Sequence, residues 1–209
     1  MLSKIRLAAA ALQVLRNPDD TEKVFVLLDE MMTDAHQAEL TEAIQQHPRG
    51  AEAMRRQPSL GAVDVAALAE LPEGTLGKRF ASFLQDNGLD PALLTDEGST
   101  HEDYVTRHLL ETHDVWHVVT GMGSDLPGEV GLQAFYMAQL PGAAGGLIIS
   151  LVMLRAALFS KGDQHALLES VARGWQLGRS AEPLAGMPWA DQWETPLSEI
   201  RSDLRLDVA

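Results

Sequence analysis

The chain has 209 residues, 30 acidic side chains against 16 basic ones, a formal net charge of −14 and no cysteine. That length is enough for one sizeable core. The charge sets the surface against phosphate backbones, so nucleic acid is excluded as an expected partner, and the missing thiols exclude disulfides, thiolate metal sites and a cysteine nucleophile.

In chain order, "MLSKIRLAAAALQVLRN" carries Lys4, Arg6 and Arg16 without an acid and superficially resembles a targeting peptide. Gln13 and Arg16 limit its apolar stretch, and Leu2, Ile5, Ala9, Leu12 and Leu15 line up as one stripe of a core helix. Asn17–Pro18–Asp19–Asp20 breaks that helix and caps the next. The second helix runs from "TEKVFVLLDEMM", with Val24, Leu27, Leu28, Met31 and Met32 at helical spacing, to a stop at Pro48–Arg49–Gly50. Short helices follow at Val63–Leu71 and through "GTLGKRFASFLQDNG", the latter with Phe80, Phe83 and Leu84 on one side and Asn87–Gly88 as its end.

Residues 90–102 read as a loop, and helix resumes near Glu102. Another helix begins near Pro127, and further helices are expected at Leu147–Phe159 and Asp163–Leu177, before an irregular tail with one last short helix. There is no strand alternation, repeat or long linker, so the expected fold is all-α, a single helical bundle-like domain over residues 1–209.

From Ala138 to Leu154 no residue is charged. A membrane span needs about 20 apolar residues. Pro141 and three glycines leave only "LIISLVML" as a continuous run, which reads as a buried central helix. The other readings are a helix touching a membrane and a wall for an apolar ligand. In the last case Gly142, Gly145, Leu147 and Leu151 are the candidate lipid-binding residues, small positions and a dry wall opening towards the site below.

"ETHDVWHVVTGMGSDLPGEVGLQAF" holds the chemistry. His113 and His117, four apart on a helix, offer two ring nitrogens to one point, with Asp114 on the adjoining face. The cluster Gly121, Gly123, Pro127 and Gly128 predicts a tight helical hairpin that returns Glu129, in the first turn of the next helix, over the histidines. Two imidazoles and one or two carboxylates suit a divalent ion: zinc, iron, cobalt and manganese are all compatible. Trp116, between the two histidines, points to another sector and is read as core.

H-D-x-x-H, eleven residues and then Glu resembles the signature of the Coq-four family of ubiquinone (coenzyme Q) biosynthesis proteins. "NPDDTEKVF", "LAELPEGTLGKRFASFLQDNGLDP", "ETHDVWHVVTG", "PGEVGLQAFYMAQ" and "PLSEIRSDL" look like family segments in the family's order, so the resemblance covers essentially the whole chain. It implies an all-helical fold with His113, Asp114, His117 and Glu129 as metal ligands. It further implies action late in quinone synthesis on a polyprenylated aromatic substrate at a membrane surface.

The implied reaction is oxidative decarboxylation at ring carbon one, with Glu129 and His117 as the catalytic candidates and Arg107, Arg155 or Arg201 available for the substrate carboxylate. The rival implied by the same resemblance is a non-catalytic, prenyl-lipid-binding scaffold with a structural metal that organises other ubiquinone-biosynthesis enzymes. A homodimer is compatible with either reading. The expected location is the cytoplasm or the cytoplasmic face of the inner membrane, as in a bacterial-type member.

Overall fold

In a computed structural model the described residues are 31, 33–91, 104–142, 144–159 and 164–206. The first expected helix, the break at Asn17–Asp20, Val24, Leu27, Leu28 and Met32 of the second, and most of the 90–102 loop lie outside them. Ten α-helices are described: α1 Asp34–Gln45, α2 Pro48–Arg56, α3 Val65–Ala69, α4 Leu76–Asn87, α5 Tyr104–Glu111, α6 His113–Thr120, α7 Leu126–Gln139, α8 Ala144–Phe159, α9 Gln164–Ser180 and α10 Leu197–Asp203. A short 3-10 turn spans Trp189–Gln192, and the β pairing among the described residues is one isolated bridge between Thr75 and Pro196. The all-α class is as the sequence predicts.

The described residues gather into two compact units. One comprises those up to Leu40 with Asp125–Arg179, the other those of Thr41–Ser124 with those from Ser180 onward.

In the first unit, α7, α8 and α9 enclose a core of Val130, Val152, Ala156 and Leu167, with Leu126, Ile149, Met153 and Val171 packed against it. α7 and α9 approach at backbone contact. A Cβ on Gly174 would lie 1.9 Å from the Gly131 carbonyl oxygen, and one on Gly178 would lie 2.8 Å from both the Phe135 oxygen and the Ala138 Cβ. The Gln139 amide donates to the Gly178 carbonyl at 2.8 Å, fixing the register of the pair. α8 is not the buried central helix that the uncharged run over 138–154 predicts. Gly145, Ile148, Val152 and Ala156 face inward, while Leu154, Leu158 and Phe159 are exposed. One stripe suffices to pack on two neighbours, so uniform apolarity does not enforce uniform burial. No helix among the described residues is long and apolar enough to cross a membrane.

α1 ends at Gln45, just before the expected stop, and in the second unit Pro48 goes on to begin α2. Proline is tolerated in a first turn, where its missing N–H has no intrahelical partner. The His47 ring accepts from the Arg49 N–H, and Gly50 lies so close that a Cβ there would be 1.9 Å from the Ile44 carbonyl oxygen. α4 is capped by Thr75 and ends on Gly88 in the left-handed region at φ 63°, as Asn87–Gly88 predicts. Phe80 and Leu84 of α4 are buried. α10 closes the unit through Leu197 and Ile200, with Leu204 buried just past its end.

Candidate metal centre

The expected helix from Glu102 through the motif is interrupted at Thr112, whose φ of −95° and ψ of 0° separate α5 from α6. The Thr112 hydroxyl donates to the His108 carbonyl at 2.7 Å, a local bond that competes with the helical ladder and bends it. α6 then buries every residue from Asp114 to Thr120, while His113 is half-buried at its start. Trp116 is fully buried, as core packing predicts.

His113 and His117 turn their Nε2 atoms to each other at 3.2 Å, with the rings nearly perpendicular. On the far side, His117 Nδ1 lies 3.2 Å from the Met122 carbonyl oxygen. A carbonyl only accepts, so Nδ1 carries the ring hydrogen and Nε2 presents a bare lone pair. Phe83 stacks on the same ring at 5.5 Å between centroids and holds its plane. A second nitrogen 3.2 Å from a bare one requires a hydrogen or a cation between them. Two imidazoles on one ion at bonds of about 2.0–2.1 Å and a near-tetrahedral angle stand about 3.3 Å apart. The pair therefore fits a divalent ion without rearrangement.

The end of α6 is fastened carbonyl by carbonyl. Thr120 Oγ1 donates to the Trp116 oxygen, and the Gly121 and Met122 N–H groups reach the His117 oxygen, with Gly121 left-handed at φ 68°. Arg201 of α10 donates from Nε to the Val119 oxygen and from Nη2 to the Val118 oxygen, both at 2.9 Å.

Asp114 is buried on the first turn of α6, where a carboxylate suits the helix dipole. Glu129 is half-buried in the first turn of α7. Its turn is built locally: Asp125 caps the helix by accepting from the Gly128 N–H at 3.0 Å, Pro127 occupies the first turn, and the Glu129 N–H reaches the Asp125 carbonyl at 2.8 Å.

Just upstream is a second buried polar cluster. Glu111 accepts from the Ser59 hydroxyl at 2.9 Å and lies 3.3 Å from His108 Nδ1. Tyr104 stacks on His108 and donates its hydroxyl to the Pro58 carbonyl at 3.2 Å. Burial, reinforced by the Glu111 charge and opposed by Arg107, holds the Tyr104 phenol well above the ordinary tyrosine range.

The remaining sequence candidates are spread out. Gly145 is covered by α7, since a Cβ there would meet Met137 Cγ at 2.8 Å and the Gln133 oxygen at 2.9 Å. Its small size thus serves helix packing. Gly142, at φ 130°, lies against the His36 ring, and Leu147 and Leu151 are half-buried on α8. Of the arginines, Arg107 lies over the Tyr104 ring, Arg155 is half-exposed on α8, and Arg201 fastens α6. Sequence reasoning missed Met122, whose contribution is a backbone oxygen and leaves no side-chain signature. It also missed Phe83 as a partner of His117, although its place on the apolar side of α4 was legible.

The sequence profile described as coenzyme Q (ubiquinone) biosynthesis protein Coq4 matches residues 2–209. The chain belongs to that family. Its sequence is 31% identical to the mitochondrial ubiquinone biosynthesis protein COQ4 homolog of Rattus norvegicus, over 97% of this chain and 78% of the rat protein. The corresponding human protein is 27% identical over 94% of this chain and 75% of its own length. A crystal structure of a Nostoc punctiforme protein, assigned by its name to ubiquinone biosynthesis, superposes with a TM-score of 0.83 at 25% identity, covering 98% of this chain and 99% of that one. The Coq4 family places this chain's function in ubiquinone biosynthesis.

Proposed function

We propose that the chain is a metal-dependent enzyme that replaces the carboxyl at ring carbon one of a polyprenylated hydroxybenzoate by a hydroxyl. The observation that carries this reading is the 3.2 Å approach of His113 Nε2 and His117 Nε2 with the His117 tautomer fixed from behind. His113 and His117 are the donor pair for the ion, and Asp114 and Glu129 of the same sequence motif are the further candidate ligands. A bound divalent ion would supply Lewis-acid stabilisation of negative charge on the substrate oxygens and, if redox-capable, access to dioxygen chemistry. The chain's own residues do the rest. His117 keeps Nε2 bare for ligation because Met122 holds its hydrogen at Nδ1. Glu129, on a different helix from the histidines, accepts the phenol proton. The overall change releases carbon dioxide, consumes dioxygen and draws two electrons from an external donor.

The second reading, a prenyl-lipid-binding scaffold working peripherally on a membrane, is favoured by a different observation. Leu154, Leu158 and Phe159 on α8 and Leu168 and Trp175 on α9 are large apolar side chains left exposed. The deciding experiment loads metal-free protein separately with zinc, iron, cobalt and manganese. Carbon dioxide release and oxygen uptake are then followed with a prenylated 4-hydroxybenzoate and a reductant. Turnover with iron, cobalt or manganese supports the enzyme. Turnover with zinc and no oxygen uptake reduces it to a simple decarboxylase, and tight substrate binding without turnover on any metal assigns the scaffold.

A further inference from the structure

An α-helix leaves its last four carbonyls without intrahelical donors, and a buried helix end must find them elsewhere. In α6 the Gly121 and Met122 N–H groups satisfy His117, and the guanidinium of Arg201 satisfies Val118 and Val119. Nε and Nη2 lie on one edge of the guanidinium plane, so the two bonds fix both adjacent peptide planes at once. A lysine, with one compact ammonium, cannot reproduce that fork. Only Thr120 and Gly121 separate Val119 from Met122, and the Met122 carbonyl selects the His117 tautomer.

The geometry points to Arg201 as a positioning residue of the metal centre. By clamping the Val118 and Val119 carbonyls, it sets the turn that aims the Met122 oxygen at His117 Nδ1 and so keeps Nε2 available as a ligand. This assignment rests on the metal reading above, and it gives Arg201 a role other than holding the substrate carboxylate. Nothing in its chemistry requires Arg201 to touch the metal or the substrate.

The test uses the full chain as wild type, Arg201→Met, Arg201→Lys and, as a remote control of reduced stability, Val152→Ala in the α8 core. Two quantities are read: the His117 Nδ1–H by long-range proton–nitrogen NMR, and zinc affinity by competition with a chromogenic chelator. Loss of a group that orients a ligating histidine typically weakens metal binding by about 10–100-fold. Arg201→Met is expected to lose that much and to show mixed His117 tautomers. Arg201→Lys should fall between, and Val152→Ala should match wild type in both readouts. A folded Arg201→Met with zinc affinity within about twofold of wild type and an unchanged Nδ1–H signal overturns the assignment. So does an equal loss in Val152→Ala. If Arg201→Met does not fold, Arg201→Lys decides, and wild-type behaviour in both readouts overturns the proposal. Wild-type protein that binds no zinc, iron, cobalt or manganese overturns the metal reading instead, and the tautomer measurement alone then decides the role of Arg201.

Discussion

Gly174→Ala and Gly146→Ala, the same chemical change on neighbouring helices, should move stability in opposite directions. Alanine exceeds glycine in helix propensity by about 1 kcal/mol, so both variants begin with that gain. At Gly146 the new methyl would meet only the mobile end of Met137, with Cε at 3.4 Å, and the gain survives. At Gly174 it would stand 1.9 Å from the Gly131 carbonyl oxygen, well inside the roughly 3.3 Å of ordinary carbon–oxygen contact. Both atoms belong to backbone or are rigidly attached to it, so no rotamer change relieves the clash and α7 and α9 must part. Overpacking costs about 1–3 kcal/mol and occasionally more, and this rigid case belongs at or above the upper end. The net loss is then about 2–3 kcal/mol. For a chain of this size 1 kcal/mol corresponds to about 2–4 °C in Tm. Thermal and urea unfolding followed by circular dichroism should therefore place Gly174→Ala about 4–12 °C below wild type and Gly146→Ala about 2–4 °C above it. A Gly174→Ala protein as stable as wild type would refute the backbone contact between α7 and α9.

His117→Ala should abolish stoichiometric divalent metal binding, read by elemental analysis after dialysis, whereas His165→Ala, at an exposed position of α9, should retain it. Acidification should release the metal from wild type, since imidazole nitrogens must be unprotonated to ligate. Because the folded Tyr104 phenol is raised, its contribution to stability is complete below the unfolded value of about 10 and is lost as pH rises towards the folded one. Tyr104→Phe should accordingly flatten the alkaline fall in Tm while costing about 1 kcal/mol near neutrality, for the bond to the Pro58 carbonyl. Asp125→Ala, which removes the cap of α7, should cost about 1 kcal/mol in urea unfolding.

The legible parts of the fold were those written in periodicity and caps. Thr75 and Gly88 bound α4 as local chemistry requires, and the i, i+4 rule alone placed His113 beside His117. Pro48–Arg49–Gly50 marked the end of α1, but its second role as the start of α2 was not legible, because proline stops one helix and starts another equally well. α8 was misread because composition reports apolarity, not how many neighbours are present to cover it. The backbone carbonyl of Met122 leaves no side-chain signature, and the reach of Arg201 to α6 is set by tertiary packing, which no local pattern encodes. The seam at Gly174 and Gly178 was not read from the sequence, since it depends on the facing Gly131 and Ala138.

The unit that carries the histidines is discontinuous along the chain, built from Thr41–Ser124 and a returning segment that begins at Ser180. Its clamp on α6 closes a loop of 83 residues, from Val118 to Arg201. During synthesis on a ribosome, α6 leaves the exit tunnel long before its capping partner has been translated. A premature stop after Arg179 would yield a product with His113, Asp114, His117 and Glu129 all present and the carbonyls of Val118 and Val119 uncapped. If the centre holds the proposed ion, its loading is then a late event in the life of the nascent chain, and lesions in the last segment should mimic substitution of His113 or His117.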